Sequence, residues 1–171
     1  MRITTLLLIL ICGLLYSCAS GEPEEQADTR PNIILILAND MGYSGLGCMG
    51  SEIQTPNLDR LAGNGLLMAQ FYNTSRCCLT RDYLLTGLYP HQAGTGSMVS
   101  GLPEAPAYQG YLKEQCITLG EVPGEAGYTT LLSGKWHVGE EEAHWPDERG
   151  FQKSFILLST SMENEENILI S

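Results

Sequence analysis

Residues 32–38 form a continuous apolar run, NIILILA, directly after Pro31. Its length and its content of Ile and Leu favour a β-strand buried on both faces, as in a parallel sheet covered by helices. The run ends at Asn39 and Asp40, and open α/β sheets bind their ligands at the carboxyl ends of strands. Side-chain oxygens at this place suit a hard cation such as Ca²⁺ or Mg²⁺. A simple turn after the strand is the plainer interpretation of an isolated Asn-Asp pair.

Helix and strand signals alternate along the rest of the chain. Capping signals predict a helix from Thr55 to about Gly63 or Gly65, one over residues 80–86 closed by Gly87, and one that begins with the capping box of Thr118 and Glu121. Two further strands are predicted over residues 66–72 and 128–133, and the second runs into Gly134-Lys135-Trp136-His137. This alternation predicts an α/β layer fold.

The acidic composition excludes one class of partner. The 171 residues include 9 Lys and Arg against 20 Asp and Glu, for a formal net charge of −11. Binding to DNA or RNA without sequence preference requires a surplus of basic side chains that displaces counterions. We therefore expect no nucleic-acid partner.

The N-terminus has the pattern of an export signal. Arg2 precedes an apolar run over residues 6–15, which is shorter than the ~20 residues that a membrane-spanning helix needs. The run leads into Leu-Tyr-Ser-Cys, which resembles a bacterial lipobox with Cys18 as the lipidated residue. We expect a lipoprotein signal peptide at 1–17, an acidic tether at 18–30, and an exported lipoprotein in the periplasm or outer membrane of a Gram-negative bacterium. An ordinary secretory signal is the alternative.

A second reactive pattern lies in Ser75-Arg76-Cys77-Cys78-Leu79-Thr80-Arg81. It places Cys77 at the amino end of a predicted helix between two arginines. Helix-end amides and guanidinium groups bind tetrahedral oxyanions and lower the pKa of a thiol. A disulfide or buried thiols would explain the cysteines equally well. The cysteines after Cys18 are Cys48, Cys77, Cys78 and Cys116, and their spacing matches no zinc or disulfide framework.

Three blocks of the sequence together resemble a known enzyme family. They are RPNIILILANDMGYSGLGCMGSEIQTPNLDRLAGNG, FYNTSRCCLTRDYLLTGLYPHQAG and TLGEVPGEAGYTTLLSGKWHVG. In this order they closely resemble the amino-terminal half of the type I, formylglycine-dependent sulfatases of the alkaline-phosphatase superfamily, over about residues 30–151. The resemblance implies an α/β three-layer sandwich with a mixed, mostly parallel sheet. It also implies that residues 31–171 are the N-terminal part of a catalytic domain that is incomplete at the C-terminus.

The resemblance also assigns roles to individual residues. In the family, the cysteine of a Cys-x-Pro-Ser/Thr-Arg pattern is oxidised to formylglycine by a maturation enzyme, and here that cysteine is Cys77. Its hydrated aldehyde offers one hydroxyl to attack sulfur and a second that expels sulfate. By resemblance, Asn39, Asp40 and modified Cys77 bind the cation, Arg81 holds formylglycine and the metal ligands, Lys135 contacts sulfate, and His137 bonds the formylglycine hydroxyl and helps its deprotonation. His91 is interpreted as structural.

The implied function is hydrolysis of sulfate esters with Ca²⁺ or Mg²⁺. A sulfated polysaccharide is a plausible substrate for an outer-membrane lipoprotein, and a formylglycine-generating enzyme is an implied partner. Two alternatives remain open: a catalytically inactive truncated sulfatase-like lipoprotein, and a remnant that binds sulfate or sulfated glycans. A phosphatase or phosphonate hydrolase of the same superfamily is the chemical runner-up.

Four departures from the family pattern bear on the site. Asn39 replaces an aspartate, which removes one negative charge from the cation ligands. Leu79 replaces the proline of the modification motif. Asp82 and Tyr83 replace small residues, which predicts a carboxylate and a bulky ring beside the anion site. Residues 122–124, Val-Pro-Gly, lie within a predicted helix that proline and glycine disfavour.

Overall fold

The computed structural model describes residues 29–99, 101–102, 104–158 and 168–170. The chain falls into two units, with the boundary between Ala38 and Asn39. The predicted strand over residues 32–38 is wrong for this structure, because the segment forms no β-strand and Ile33, Ile34 and Ile36 are more than 70% exposed. An apolar run becomes a strand only when neighbouring backbone completes its hydrogen bonds.

The second unit contains the helices. They are α1 (Pro56–Asn64), α2 (Cys77–Thr86), α3 (Pro90–Ala93) and α4 (Glu121–Glu125), with short 3-10 turns at Tyr43–Gly45, Gly47–Met49, Glu142–His144 and Asp147–Arg149. The predicted helix after Thr55 is confirmed as α1, and α2 ends at Gly87 in the left-handed conformation as predicted. None of the helices among the described residues has the length and apolar character needed to cross a bilayer.

The capping box before α4 is confirmed by its two reciprocal hydrogen bonds. The Thr118 amide donates to the Glu121 carboxylate at 2.7 Å, and the Glu121 amide donates to the Thr118 hydroxyl at 3.3 Å. The helix nevertheless spans only five residues. Its composition explains this, because Val-Pro-Gly has a poor helix propensity and the signal that starts the helix cannot extend it.

A mixed sheet positions one side of the site. Strand β1 (Leu131–Lys135) pairs in parallel with β2 (Lys153–Leu157), and β2 pairs antiparallel with β3 (Ile168–Ile170). The predicted strand over residues 128–133 is therefore present but lies about two residues further along. The predicted strand over residues 66–72 is wrong, since the segment is irregular and exposed.

The core of the second unit lies between this sheet and the loops around it. Trp136, Val138, Ile156 and Leu158 from the sheet region meet Ala93, Leu112, Cys116 and Phe151. The ladder continues past β1, because the amides of Trp136 and His137 donate to the carbonyls of Leu157 and Leu158 at 2.9 and 2.8 Å. This packing fixes the backbone that carries Lys135 and His137.

Candidate active site

The amino end of α2 presents one of two adjacent cysteines. Cys77 is the first residue of the helix and is partly exposed, whereas Cys78 is fully buried. The Cys78 thiol lies 3.6 Å from both the Ser97 carbonyl and the Met98 sulfur, and burial raises its pKa. Cys48, Cys77, Cys78 and Cys116 are all free thiols, so the disulfide alternative does not apply to them. Cys77 is therefore the member of the pair that is accessible for modification.

Arg81 joins three parts of the site through its guanidinium group. It donates to the Cys77 carbonyl at 3.1 Å, to the Lys135 carbonyl at 3.2 Å and to Asn39 Oδ1 at 3.2 Å. The first contact follows from the helix, since residues four apart lie on one face. The other two fix the position of the end of β1 and of Asn39, from segments 54 and 42 residues away in sequence. Arg81 is only 8% exposed, and burial lowers its pKa.

Asn39 extends this network to Asp40. Its Nδ2 donates to Asp40 Oδ2 at 2.9 Å while its Oδ1 accepts from Arg81. An aspartate at position 39 could accept from Arg81 but could not donate to Asp40. The amide therefore links a cation to a carboxylate without adding charge of its own.

Three residues of the site adopt a backbone conformation that side chains disfavour. Asp40, Ser75 and His137 have φ values of 55°, 55° and 59°, and they are the three non-glycine residues with positive φ among those described. Such conformations cost on the order of 1–3 kcal/mol each, and they cluster at functional sites. Asp40 and His137 are themselves residues selected from the sequence, and Ser75 lies two residues before Cys77, which supports the location of the site.

His137 is buried as the neutral imidazole at neutral pH, with one ring nitrogen unprotonated. The side chain is 1% exposed, and its Nδ1 has no hydrogen-bond partner in the part of the chain that the structure describes. Burial, with Lys135 and Arg81 nearby, lowers its pKa from an ordinary 6.5 to about 4. A neutral buried imidazole with an unsatisfied nitrogen can accept a proton or a hydrogen bond from a ligand.

The prediction that the Asp82 carboxylate lies beside the anion site is wrong. Asp82 is fully buried, and its carboxylate accepts hydrogen bonds from the hydroxyls of Thr86 and Thr95. Burial raises its pKa to about 6. Tyr83, at 42% exposed, packs at 6.1 Å between ring centroids against Tyr89. The replacement of a small residue by Asp82 thus adds a contact between α2 and Thr95, which nothing in the local sequence signals.

Two further residues, His91 and Arg149, lie away from this network. His91 is exposed and makes an edge-on contact with Tyr108, with ring centroids 5.3 Å apart. Arg149, which the sequence did not single out, is 6% exposed and donates to the carbonyls of Leu112, Lys113 and Cys116 as well as to Glu121. It ties loops together and has no contact with the network of Arg81. Cys18 lies outside the described residues.

The side-chain oxygens of Asn39 and Asp40 are of the kind that binds a hard cation, but they fill only part of its coordination shell. Asn39 and Asp40 are exposed and supply hard amide and carboxylate oxygens. The Asn39 bond to Arg81 uses one of two lone pairs on its oxygen, and the bond to Asp40 leaves most acceptor sites of that carboxylate available. Among the described residues there is no group of three or more His, Cys, Asp or Glu arranged to hold a metal.

Comparison with known proteins decides the family. The sulfatase family matches residues 31–169. The chain belongs to the sulfatase family. It is 40% identical over 141 residues to an arylsulfatase of Klebsiella aerogenes, covering 81% of this chain and 30% of that enzyme. It is 43% identical over 127 residues to human arylsulfatase A, covering 72% of this chain and 24% of that enzyme. The chain thus spans less than a third of the length of either relative.

Solved structures confirm the fold class. The PsFucS1 sulfatase from a Pseudoalteromonas species is 33% identical with a TM-score of 0.58, covering 71% of this chain and 25% of that one. Ps i-CgsB in complex with a neocarrahexaose is 30% identical with a TM-score of 0.57, covering 76% and 28%. The predicted alkaline-phosphatase-like α/β fold is therefore confirmed. The family match extends to residue 169, past residue 151, at which the resemblance of the three blocks ends.

Proposed function

We propose that this chain supplies the nucleophile side of a sulfuric ester hydrolase site. The observation that carries the proposal is the contact set of Arg81, which joins Cys77, the end of β1 at Lys135, and Asn39 in one network. These residues were selected from three separate blocks of the sequence. Their convergence on one guanidinium group supports a common chemical role over three unrelated structural ones.

The charges at this network suit a sulfate group. Burial, and after it the nearby cations Lys135 and Arg81, lowers the pKa of His137, and these two cations would bind the oxygens of a sulfate ester. His137 is neutral at pH 7 because its pKa is lowered to about 4. It would hold or accept a proton at its unpartnered Nδ1, which suits the role of a general base toward a hydroxyl on residue 77.

Two groups would complete the site. Residue 77, once converted to hydrated formylglycine, would supply one hydroxyl to attack sulfur with loss of the alcohol, and a second whose proton is lost as the carbonyl re-forms and sulfate leaves. Asn39, Asp40 and residue 77 would hold Ca²⁺ or Mg²⁺. A divalent cation there would neutralise sulfate oxygens and favour the ionised nucleophile.

The substrate class is proposed from the relatives. A solved relative at 30% identity is in complex with a neocarrahexaose, and we propose a sulfated polysaccharide for this chain. We further propose that a formylglycine-generating enzyme modifies Cys77 and that lipid on Cys18 anchors the chain to a bacterial outer membrane. Membrane fractionation tests the anchor: the chain should sediment with membranes, and Cys18→Ser should release it to the soluble fraction.

The central test combines mass spectrometry with a sulfate-release assay. The chain is co-expressed with a formylglycine-generating enzyme, and the peptide containing Cys77 is examined for replacement of the thiol by an aldehyde. Released inorganic sulfate is then measured with a sulfated galactan oligosaccharide. We expect conversion and release with the natural chain and with Cys48→Ser, and neither with Cys77→Ser. An unmodified Cys77 thiol under all conditions would rule out this mechanism, whereas conversion without sulfate release would favour a binding role.

A further inference from the structure

Helix α2 carries two neighbouring rows of side chains with different surroundings. Cys77 and Arg81 form one row and face the site, whereas Cys78 and Asp82 form the other and are buried against the loop that follows α3. Successive residues of a helix are rotated by about 100°, and residues four apart lie on one face. Contacts made by Cys78 and Asp82 therefore determine the direction in which Cys77 and Arg81 point.

The loop that receives the second row is held on several sides. The Thr95 amide donates to the Pro90 carbonyl at 2.9 Å, and the Gly96 amide donates to the Ala107 carbonyl at 2.9 Å. The Gly110 amide donates to the Gly94 carbonyl at 3.1 Å. Thr95 itself is completely buried. It is thus a fixed point outside α2 against which the helix can be held.

Asp82 makes the polar contact between the helix and this fixed point. One carboxylate oxygen accepts from the Thr95 hydroxyl and the other from the Thr86 hydroxyl. The remaining charged or titratable groups that act on it are Arg149, Lys113 and Cys116. A buried carboxylate without these donors would be strongly unfavourable. The bond to Thr95 therefore opposes rotation of α2 about its axis.

We propose that Asp82 is a positioning residue, whose contact with Thr95 fixes the rotation of α2 so that Cys77 and Arg81 face the sulfate. This inference rests on the proposed function. Asp82 does not face the site, and it acts through the helix that it holds. By resemblance to the family pattern, it takes the place of a small residue.

The test measures the electric field at Cys77 through its alkylation. The full chain is expressed without a maturation enzyme, and Cys77 is treated with negatively charged iodoacetate or neutral iodoacetamide. The ratio of the two rates cancels the thiolate fraction, because both reagents attack the same thiolate. A nearby Arg81 should favour iodoacetate at Cys77 roughly fivefold, relative to the exposed Cys48 as an internal reference.

Two pairs of variants separate positioning from general stability. Asp82→Ala and Thr95→Val remove the contact, and we expect the preference for iodoacetate to fall to that of Cys48 and Cys78 to become reactive. Asp82→Asn retains a hydrogen-bond acceptor and Thr95→Ser retains the hydroxyl. Both variants should therefore keep the preference for iodoacetate that the natural chain shows. Asp147→Asn, at an exposed position away from α2, should leave it unchanged.

Three results would overturn the inference. A preference that survives in both Asp82→Ala and Thr95→Val would show that Asp82 does not orient the helix. Loss of the preference together with reaction of the core thiol Cys116 would assign Asp82 a general structural role instead. If Cys77 of the natural chain shows no preference for iodoacetate, no anion site lies beside it. In that case the proposed function fails, and not only the role of Asp82.

Discussion

The two sides of the candidate site are held in different ways. On the nucleophile side, Arg81 and His137 are almost fully buried, and packing of α2 and β1 fixes their backbone. On the cation side, Asn39 and Asp40 are exposed, and their described side-chain contacts are one bond between them and one to Arg81. The chain's own packing therefore organises the anion-binding groups, whereas the cation ligands depend on Arg81 for their position.

Removal of Arg81 should have the largest effect, because this side chain joins the two sides. Arg81→Ala eliminates three charge-assisted hydrogen bonds, and we expect the free energy of unfolding to fall by on the order of 3 kcal/mol. Arg81→Lys should recover part of this, since it keeps the charge but not the planar group. Urea unfolding followed by Trp fluorescence measures both. Arg60→Ala, at an exposed position of α1, serves as the control. If both alanine variants lower the free energy of unfolding equally, the network of Arg81 does not hold the site together.

His137 should make the nucleophile side sensitive to acid. Its pKa is 6.5 when unfolded and about 4 when folded, so the unfolded chain binds the extra proton and stability decreases as the pH falls from 6.5 to 4. His137→Asn should remove this loss, which is on the order of 2 kcal/mol. Unfolding free energies measured across that range provide the test. The exposed His91→Asn serves as a control and should keep the natural slope, and an unchanged slope in His137→Asn contradicts the assignment.

Asp82 should produce a pH dependence of the opposite sign. Its pKa is raised from 3.8 to about 6 in the folded chain, so its contribution is fully present below pH 3.8 and is lost as the pH rises through 6. Relative to the natural chain, Asp82→Asn should therefore gain on the order of 1–2 kcal/mol between pH 4 and pH 7. Unfolding free energies measured across this pH range provide the test, with Asp147→Asn as the control. A relative loss over this range would show that the carboxylate is stabilised in its ionised form.

The cation side should respond to charge at position 39. Asn39→Asp replaces an amide by a carboxylate at an exposed oxygen site, and we expect Ca²⁺ to bind about tenfold more tightly. Isothermal titration calorimetry measures the affinity directly and needs no catalytic activity. Asn57→Asp adds the same charge in the first turn of α1 and should leave the affinity unchanged. Equal affinities of the natural chain and Asn39→Asp would place the cation elsewhere.

Local signals in the sequence predicted the elements whose contacts are short-range. The terminal glycine of α2, the start of α1 and the capping box at Thr118 all depend on residues within a few positions of each other, and all are confirmed, whereas α2 begins at Cys77 and not at the predicted residue 80. The strand over residues 32–38 depends on partner strands, and an apolar composition cannot supply them. Strand assignment from composition therefore failed where pairing decides the outcome.

The family pattern named candidate residues for the site, but not the orientation of the helix that carries two of them. The family pattern selected Asn39, Cys77, Arg81 and Lys135, and the structure joins all four. It could not indicate that Asp82 turns away from the site, because burial against Thr95 depends on a loop 13 residues further along. The orientation of a helix is a property of tertiary packing, and the sequence of the helix alone does not contain it.

The left-handed backbone at Ser75 has a consequence for engineering. Glycine adopts this conformation freely, so Ser75→Gly should relieve local strain of on the order of 1 kcal/mol at the entry to α2. The same change would widen the range of directions from which the chain can enter the helix. Glycine also has more conformational freedom to lose on folding, at a cost of about 0.5–1 kcal/mol, which offsets the relief of strain. The melting temperature of Ser75→Gly should therefore change little, whereas the approach of the chain to Cys77 would become less defined.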